Sequence, residues 1–237
     1  MSEVEAAAVD AENLPKPKRT VRRKKKPLES GGPLYLGHFG LHEAPFGITP
    51  DTGFIYATRS HQEGINTLLV ALKSGEGFIK ITGEVGTGKT LLCRRLLRTL
   101  EDEHCVTAYL PNPGLSPETL LRSVADEIGL NAEAGSDQYQ LLKSLNEALM
   151  RFAIAGKTVV VLLDEAQAIP IEALETLRLL SNLETEKRKL IQIVMFGQPE
   201  LDSHLANPAI RQLRQRIAFA FRLGGMQRDE LHQYLTH

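Results

Sequence analysis

The chain has 237 residues, of which 42% are hydrophobic and 24% are charged. This length suits one large α/β domain, or one domain with part of a second, and the apolar content excludes a chain that is disordered throughout. No apolar run reaches the roughly 20 residues of a membrane-spanning helix, and the acidic and then basic N-terminus does not fit a signal peptide. We therefore expect a cytoplasmic protein.

The two cysteines, Cys93 and Cys105, are too far apart for a CxxC motif and have no His-rich segment beside them. Such spacing predicts neither a structural zinc site nor a disulfide framework. Inert thiols in a reducing compartment are the expected state of both residues.

The formal net charge of −1 conceals an uneven distribution. Residues 1–33 hold eight Lys or Arg and five Asp or Glu, whereas the rest of the chain has an acidic excess and lacks the positive charge typical of nucleic-acid-binding domains. With repelling charges and little to bury, residues 1–33 are predicted to form a disordered basic tail. Two interpretations stay open for it: contact with nucleic acid or anionic lipid, or a solvated segment without a ligand.

Residues 35–56 combine aromatic residues with prolines, which predicts a loop-rich segment on the domain surface. Beyond it, apolar residues recur at helix or strand spacing. Strands are predicted at 78–82, 106–110, 158–163, 190–196 and 217–223, and helices at about 60–74, 91–100, 138–155, 171–185, 200–205 and 226–234. Ser116 and Pro117 begin a further helix, because Ser is a favoured N-cap and Pro suits the first helical position.

The segment 158–163 is a nearly continuous apolar run, as expected for a parallel strand that helices cover on both faces. Strands and helices alternate along the chain from there in both directions. This pattern predicts an α/β fold with a parallel β-sheet sandwiched by helices.

Residues 83–91 carry the strongest chemical signal. Residues 83–90 fit the pattern G-x-x-x-x-G-K-[ST] between a predicted strand and a predicted helix, which is the context that confirms a P-loop. Glycines let the backbone curl so that amide groups point at phosphate oxygens, and the helix N-terminus attracts the same anion. The predicted ATP-binding residues are Gly83, Glu84, Val85, Gly86, Thr87, Gly88, Lys89, Thr90 and Leu91.

Within this loop, Lys89 is expected to reach the β- and γ-phosphates, and the Thr90 hydroxyl to bind Mg²⁺. The buried strand at 158–163 ends in Asp164 and Glu165. A carboxylate pair at the tip of an apolar strand is difficult to place unless it faces a cation. We therefore expect Asp164 to bind Mg²⁺ and Glu165 to activate the attacking water, against the alternative of a simple surface turn.

Gln198 follows the predicted strand at 190–196, where its side chain could contact the γ-phosphate; the alternative is a turn into the next helix. Arg211, Arg214 and Arg216 follow on a short helical stretch. An arginine at a subunit interface can stabilise charge in phosphoryl transfer, although arginines on an exposed helix are also ordinary surface residues.

Several stretches together resemble the bacterial general secretion ATPase A family and the related MSHA-pilus biogenesis ATPases, which belong to the AAA+ class of P-loop proteins. The resemblance covers about residue 35 to the end. It is carried by Phe39-Gly40-Leu41, Ala44-Pro45-Phe46, Pro50-Asp51, residues 82–90, Leu163-Asp164-Glu165-Ala166-Gln167, Phe196-Gly197-Gln198-Pro199-Glu200-Leu201 and Arg211-Gln212-Leu213-Arg214-Gln215-Arg216.

The resemblance implies further roles. Residues 39–56 would pack beside the adenine base, and Gln198 would be the first sensor of the γ-phosphate. Arg214 or Arg216 would act as a finger on a neighbour's ATP in a ring-shaped homo-oligomer, often a hexamer. The expected partners are pilus or secretion assembly proteins at the inner membrane, where the protein would be peripheral.

The resemblance also predicts domain boundaries, with an AAA+ core at 34–224 and the start of a helical lid at 225–237. The basic tail at 1–33 departs from the family, and so does the end of the chain within the first lid helix. We therefore expect an incomplete lid without a second sensor arginine.

Three functions are compatible with these features. The first is an AAA+ ATPase that uses Mg-ATP to drive or regulate assembly of a pilus or type II secretion complex. The second is a DNA-associated AAA+ ATPase of the transposition-helper or origin-recognition type, for which the basic tail is the support. The third is a nucleotide-dependent scaffold with negligible turnover.

Overall fold

The computed structural model describes residues 34–40, 56–101, 105–130, 137–184 and 189–236. The predicted tail at 1–33 and most of the predicted loop-rich segment lie outside these residues. Among the described residues, no helix combines the length and apolarity that a membrane crossing requires.

Five strands form a single parallel sheet in the order β2-β3-β4-β1-β5. Their bounds are β1 Phe78–Gly83, β2 Cys105–Leu110, β3 Thr158–Leu163, β4 Ile191–Gly197 and β5 Ile217–Leu223. The predicted parallel sheet is confirmed, and each predicted strand is present within one residue of its expected ends. Because all strands are parallel, their carboxyl ends meet at one edge, where ligands of open α/β sheets bind.

Nine α-helices lie in the described residues. They are α1 Leu34–Phe39, α2 Arg59–Lys73, α3 Lys89–Glu101, α4 Pro117–Glu127, α5 Gln138–Ile154, α6 Ile171–Leu180, α7 Glu200–Leu205, α8 Arg211–Gln215 and α9 Arg228–Thr236. Ser116 caps α4 as predicted, since its side chain accepts a hydrogen bond from the Thr119 amide and Pro117 is the first helical residue.

The helices cover both faces of the sheet, and alternate strand residues face opposite layers. Against α2 and α3 the sheet buries Ile79, Ile81, Val160, Leu162, Val194 and Phe196. Against α4, α5 and α6 it buries Phe78, Val106, Val159, Val161, Ile193 and Met195. Burial on both faces explains why residues 159–163 are apolar without interruption.

Two predicted segments differ from the structure. Residues 35–39 were expected in a loop but belong to α1. The helix expected at 171–185 ends at Leu180, because Asn182 and Leu183 donate to carbonyls only three residues back. An antiparallel bridge between Glu184 and Lys189 then returns the chain to β4. This pairing outweighs the helical spacing of the sequence beyond Leu180.

The carboxyl end of α2 is fixed to the sheet by a buried amide. Gln192, on β4, is only 2% exposed, and its Nε2 donates to the carbonyl oxygens of Leu72 at 3.0 Å and Glu76 at 2.9 Å. These carbonyls lie at and just beyond the end of the helix; the Leu72 carbonyl also accepts from the Gly75 amide at 3.1 Å.

The opposite end of α2 is fixed to α9. The Glu230 carboxylate accepts from the Arg59 amide at 2.8 Å and from the Gln227 amide at 2.9 Å, so one side chain caps the first turns of both helices. Glu230 is 5% exposed, and its pKa is lowered mainly by these two backbone donors. The first turn of α2 therefore has a defined position over the sheet.

His61, in that first turn, packs under the β1–α3 loop. Its Nδ1 lies 2.6 Å from Thr58 Oγ1, and a Cβ placed on Gly88 would lie only 2.5 Å from its Nε2. Burial lowers the pKa of His61, and the backbone of Thr87 partly offsets this shift. The ring is therefore held neutral against the loop.

We predict that Gln192→Leu lowers the free energy of unfolding by about 1–3 kcal/mol, because the hydrogen bonds of a buried amide to both its acceptors are lost and the partly buried Glu76 carbonyl loses its donor, while the volume of the side chain is kept. Urea unfolding measures the change. Gln62→Leu, at an exposed position of α2, is the control and should change stability by less than about 0.5 kcal/mol. Equal or higher stability of Gln192→Leu would contradict the structural role of this amide.

His61 also predicts a pH dependence. Because its pKa is lower in the folded chain than in the unfolded one, the unfolded chain binds more protons, and the His61 contribution to stability falls as the pH falls below about 6.5. His61→Gln should therefore lose less stability than the wild type between about pH 7.5 and about pH 5.5. Urea unfolding at both pH values tests this, with His232→Gln at an exposed position as control. Equal losses in wild type and His61→Gln would refute it.

Candidate active site

The loop between β1 and α3 has the backbone of a phosphate cradle. Gly86 and Gly88 have φ values of 81° and 86°, which side chains rarely tolerate. The Thr87 amide and hydroxyl both donate to the Glu84 carbonyl, at 3.3 Å and 2.8 Å. The loop thus curls tightly over the end of β1, as the glycine spacing predicts.

Two of the glycines are also needed for close approach. A Cβ on Gly83 would lie 2.8 Å from Thr87 Oγ1 and 2.9 Å from the Leu223 carbonyl oxygen. A Cβ on Gly88 would lie 2.5 Å from His61 Nε2, which is closer than a van der Waals contact allows. The loop is therefore enclosed by its own turn, by β5 and by α2, with no space for larger residues at these positions.

Lys89 lies inside this curl. It is only 6% exposed, and its Nζ donates to the carbonyl oxygens of Gly83 at 2.8 Å and Glu84 at 2.9 Å. A lysine is rarely buried without charged or hydrogen-bonding partners. Here the ammonium places a positive charge on the concave side of the loop, which suits the phosphate role predicted for it.

The first turn of α3 adds backbone donors. The first α-helical bond runs from the Leu92 amide to the Gly88 carbonyl at 2.9 Å, so the amides of Lys89, Thr90 and Leu91 precede the helical bonding pattern. Amides at a helix N-terminus bind anions. The loop and this turn fit the triphosphate of ATP in both charge and donor type.

The side chains of Glu84 and Val85 point away from this cradle. Val85 is 78% exposed, and Glu84 forms an exposed ion pair with Arg222 at 3.4 Å. These two residues can contribute only backbone groups to phosphate binding, whereas Lys89 and Thr90 contribute side chains.

The structure brings the two predicted Mg²⁺ ligands together. Asp164, at the end of β3, is 2% exposed; its carboxylate accepts from the Glu165 amide at 3.0 Å and lies beside the Thr90 side chain. Burial raises the pKa of Asp164, while the Thr90 side chain, the Glu165 amide and the charge of Lys89 act in the opposite direction. A cation at this point would stabilise the buried carboxylate.

The donor chemistry fits Mg²⁺, which prefers oxygen ligands. In the described residues, no group of three or more His, Cys, Asp or Glu could hold a metal ion without other ligands. Mg²⁺ usually takes only one or two protein oxygens and completes its shell with phosphates and water. A hydroxyl and one carboxylate beside a phosphate cradle meet this requirement.

Tyr109 is a site residue that the sequence analysis missed. It lies on β2, and its hydroxyl is 3.5 Å from Asp164 Oδ2. Burial raises the pKa of the phenol, so that Tyr109 stays protonated and can donate to the carboxylate. The available signal was its position near the carboxyl end of β2, since β2 pairs in parallel with β3.

Glu165 and Gln198 are in contact in the structure, whereas the predicted contact of Gln198 with the γ-phosphate stays a prediction. Gln198 follows β4, and its Nε2 donates to Glu165 Oε2 at 3.1 Å. A second donor to the same oxygen is Gln167 Nε2 at 2.5 Å, and the Gln198 amide donates to Gln167 Oε1 at 3.0 Å. Gln167 was part of the matching sequence stretch, but no role was predicted for it.

The three arginines occupy different surroundings. All three are exposed, and Arg211 and Arg214 line, with Gln215, an open depression of about 360 Å³. Arg216 Nη1 donates to Ser181 Oγ at 3.2 Å, at the end of α6. An action of Arg214 or Arg216 on a neighbour's nucleotide stays a prediction.

The sequence of this chain is similar to proteins that contain an AAA domain. Residues 72–205 match the family described as AAA domain. General secretion pathway protein A of Aeromonas hydrophila is 41% identical over 202 residues, which cover 85% of this chain and 37% of that protein. The chain thus spans little more than a third of this relative, and the resemblance to the general secretion ATPase A family is confirmed over that part.

Solved structures share the fold at lower identity. The ADP form of the Aeropyrum pernix ORC2 protein is 22% identical with a TM-score of 0.61, covering 81% of this chain and 54% of that one. Cdc6p from Pyrobaculum aerophilum is 18% identical with a TM-score of 0.60, covering 79% and 52%. At these identities the likeness shows the fold alone.

The predicted α/β fold of the P-loop type is therefore confirmed by the sheet, by the loop geometry and by these structures. The family match also covers more than half of the chain, from α2 to α7. This chain belongs to the AAA domain family.

Proposed function

We propose that this chain binds Mg-ATP at residues 83–91 and hydrolyses it with Glu165 as general base. The observation that carries the proposal is the position of the Thr90 side chain beside the Asp164 carboxylate, which is buried at the end of β3. It brings the start of α3 to the acidic end of β3, so that a nucleotide held by the loop would have its terminal phosphate beside Glu165.

Each group has a role in this reaction. Lys89 and the amides of the first turn of α3 bind and orient the β- and γ-phosphates. Thr90 and Asp164 hold Mg²⁺, which neutralises phosphate charge when bound. Glu165 accepts a proton from the attacking water, and the Gln198 amide, which donates to this carboxylate, would contact the γ-phosphate.

An oligomeric arrangement would complete the site. Arg214 is exposed in an open depression, as a residue that reaches into another subunit must be. Arg216 is held by Ser181 and would have to leave this partner to reach a nucleotide. Arg214 is therefore the better candidate for an arginine finger in a homo-oligomeric ring.

The biological role follows from the relative. An identity of 41% to general secretion pathway protein A supports an ATPase that drives or regulates a secretion or pilus assembly at the inner membrane. The DNA-associated alternative rests on the basic residues 1–33, which lie outside the described residues, and it stays a prediction.

Two substitutions separate binding from hydrolysis. Lys89→Ala should abolish ATP binding, because it removes the only positive side chain that lies inside the described loop. Glu165→Gln should bind ATP as the wild type does but release phosphate at least about 100-fold more slowly, since the base is lost. A fluorescent ATP analogue measures binding, and a phosphate-release assay measures turnover.

Lys143→Ala and Glu172→Gln, at exposed positions of α5 and α6, are the matched controls and should behave as the wild type does. Unchanged affinity in Lys89→Ala would refute the phosphate site. If Glu165→Gln and the wild type both released phosphate at the background rate, the chain would be a nucleotide-dependent scaffold instead of an ATPase.

A further inference from the structure

The Gln167 side chain connects the ends of two neighbouring strands. It lies on a short 3₁₀ turn, Ala166–Ala168, that follows β3. Its Nε2 donates to Glu165 Oε2 at 2.5 Å, and its Oε1 accepts from the Gln198 backbone amide at 3.0 Å. One amide thus bridges the carboxylate after β3 and the backbone after β4.

The backbone is shaped to permit this bridge. Glu165 has φ 53° and ψ 40°, and it is the only residue other than glycine with a positive φ in the described part of the chain. A left-handed conformation is unfavourable for such a residue and persists only where its surroundings enforce it. It turns the chain so that Gln167, two residues later, faces back toward Glu165.

Gly197 provides the space that the bridge needs. A Cβ on Gly197, the last residue of β4, would lie 3.2 Å from Gln167 Oε1 and 2.8 Å from Leu201 Cδ2. Any larger residue would therefore press on the Gln167 amide. The close contact between the 3₁₀ turn and β4 depends on this glycine.

The bridge also leaves one oxygen of the Glu165 carboxylate, Oε1, without a bond to either glutamine side chain. Gln167 and Gln198 both donate to Oε2 of Glu165. With Oε2 held by two amide donors, the rotation of the carboxylate is restricted, and Oε1 is the oxygen that can accept a proton from water. A general base acts only when it is within hydrogen-bond reach of that proton.

We propose that Gln167 is a positioning residue for hydrolysis: its amide donor orients the Glu165 carboxylate, and its amide oxygen anchors this orientation to the backbone of Gln198. The inference rests on the proposed function, in which Glu165 is the general base. Through this bridge, a movement of the backbone at the end of β4, where Gln198 lies, would change the orientation of the Glu165 carboxylate.

Two substitutions separate the two ends of the bridge. Gln167→Glu keeps an oxygen that accepts from the Gln198 amide, but it replaces the donor to Glu165 with a second carboxylate oxygen. Gln167→Ala removes both contacts. The Glu variant therefore tests the orientation of the base while the contact between the turn and β4 is preserved.

We expect kcat for ATP hydrolysis to fall by about 10- to 100-fold in both variants, as for a misplaced catalytic group, while KM and the affinity for ATP stay within roughly twofold of the wild type. Phosphate release at varied ATP concentration provides kcat and KM. Gln62→Glu, an exposed glutamine on α2, is the control and should have wild-type kinetics.

Hydrogen exchange of the Gln198 backbone amide tests the anchor without turnover. The amide should exchange slowly in the wild type and in Gln167→Glu, where an acceptor remains, and faster in Gln167→Ala. Exchange of the other β4 amides reports whether each variant keeps the fold.

Wild-type kcat in Gln167→Glu would overturn the positioning role, and so would equal exchange of the Gln198 amide in all three proteins. A loss of ATP affinity as large as the loss of kcat would also overturn it, because Gln167 would then act on binding. Failure of the proposed function is distinct: in that case the wild type would release phosphate no faster than Glu165→Gln, and the positioning role would fail with it.

Discussion

The proximity of Thr90 to Asp164 is the constraint on which the proposed site depends, since it brings the first turn of α3 to the end of β3. These strand ends are not adjacent in the sheet, because β4 lies between β1 and β3. The phosphate loop must therefore extend over the end of β4 to reach Asp164. Gln198 follows β4, the strand between those that carry the phosphate loop and Glu165, and its side chain donates to Glu165.

The site contains several features that do not favour folding by themselves. Lys89 is buried, Asp164 is a carboxylate whose pKa is raised by burial, and Glu165 has a left-handed backbone. Such features occur at functional sites and are tolerated because the surrounding structure enforces them. Here the enforcing structure is a sheet with apolar layers on both faces, together with α2, whose two ends are fixed by Gln192 and Glu230.

Much of this arrangement could be predicted from local patterns. The glycine spacing of residues 83–90 and the apolar run before Asp164 predicted the two halves of the site, because both depend on neighbouring residues in the chain. The contacts of Tyr109, Gln167 and His61 could not be predicted in this way, since each depends on which strand or helix lies beside it. The helical spacing also extended the predicted α6 beyond Leu180, because that spacing does not indicate the bridge between Glu184 and Lys189.

The central claim is that Thr90 and Asp164 form one Mg-ATP site, and a double-mutant cycle tests it most directly. The affinity for Mg-ATP would be measured in the wild type, Thr90→Val, Asp164→Asn and the double variant. Because residues that hold one ligand are coupled, we expect the losses of Mg-ATP affinity in Thr90→Val and Asp164→Asn not to be additive. The expected coupling energy is about 0.5–3 kcal/mol. Losses that add within about 0.3 kcal/mol would show two independent residues and contradict the account.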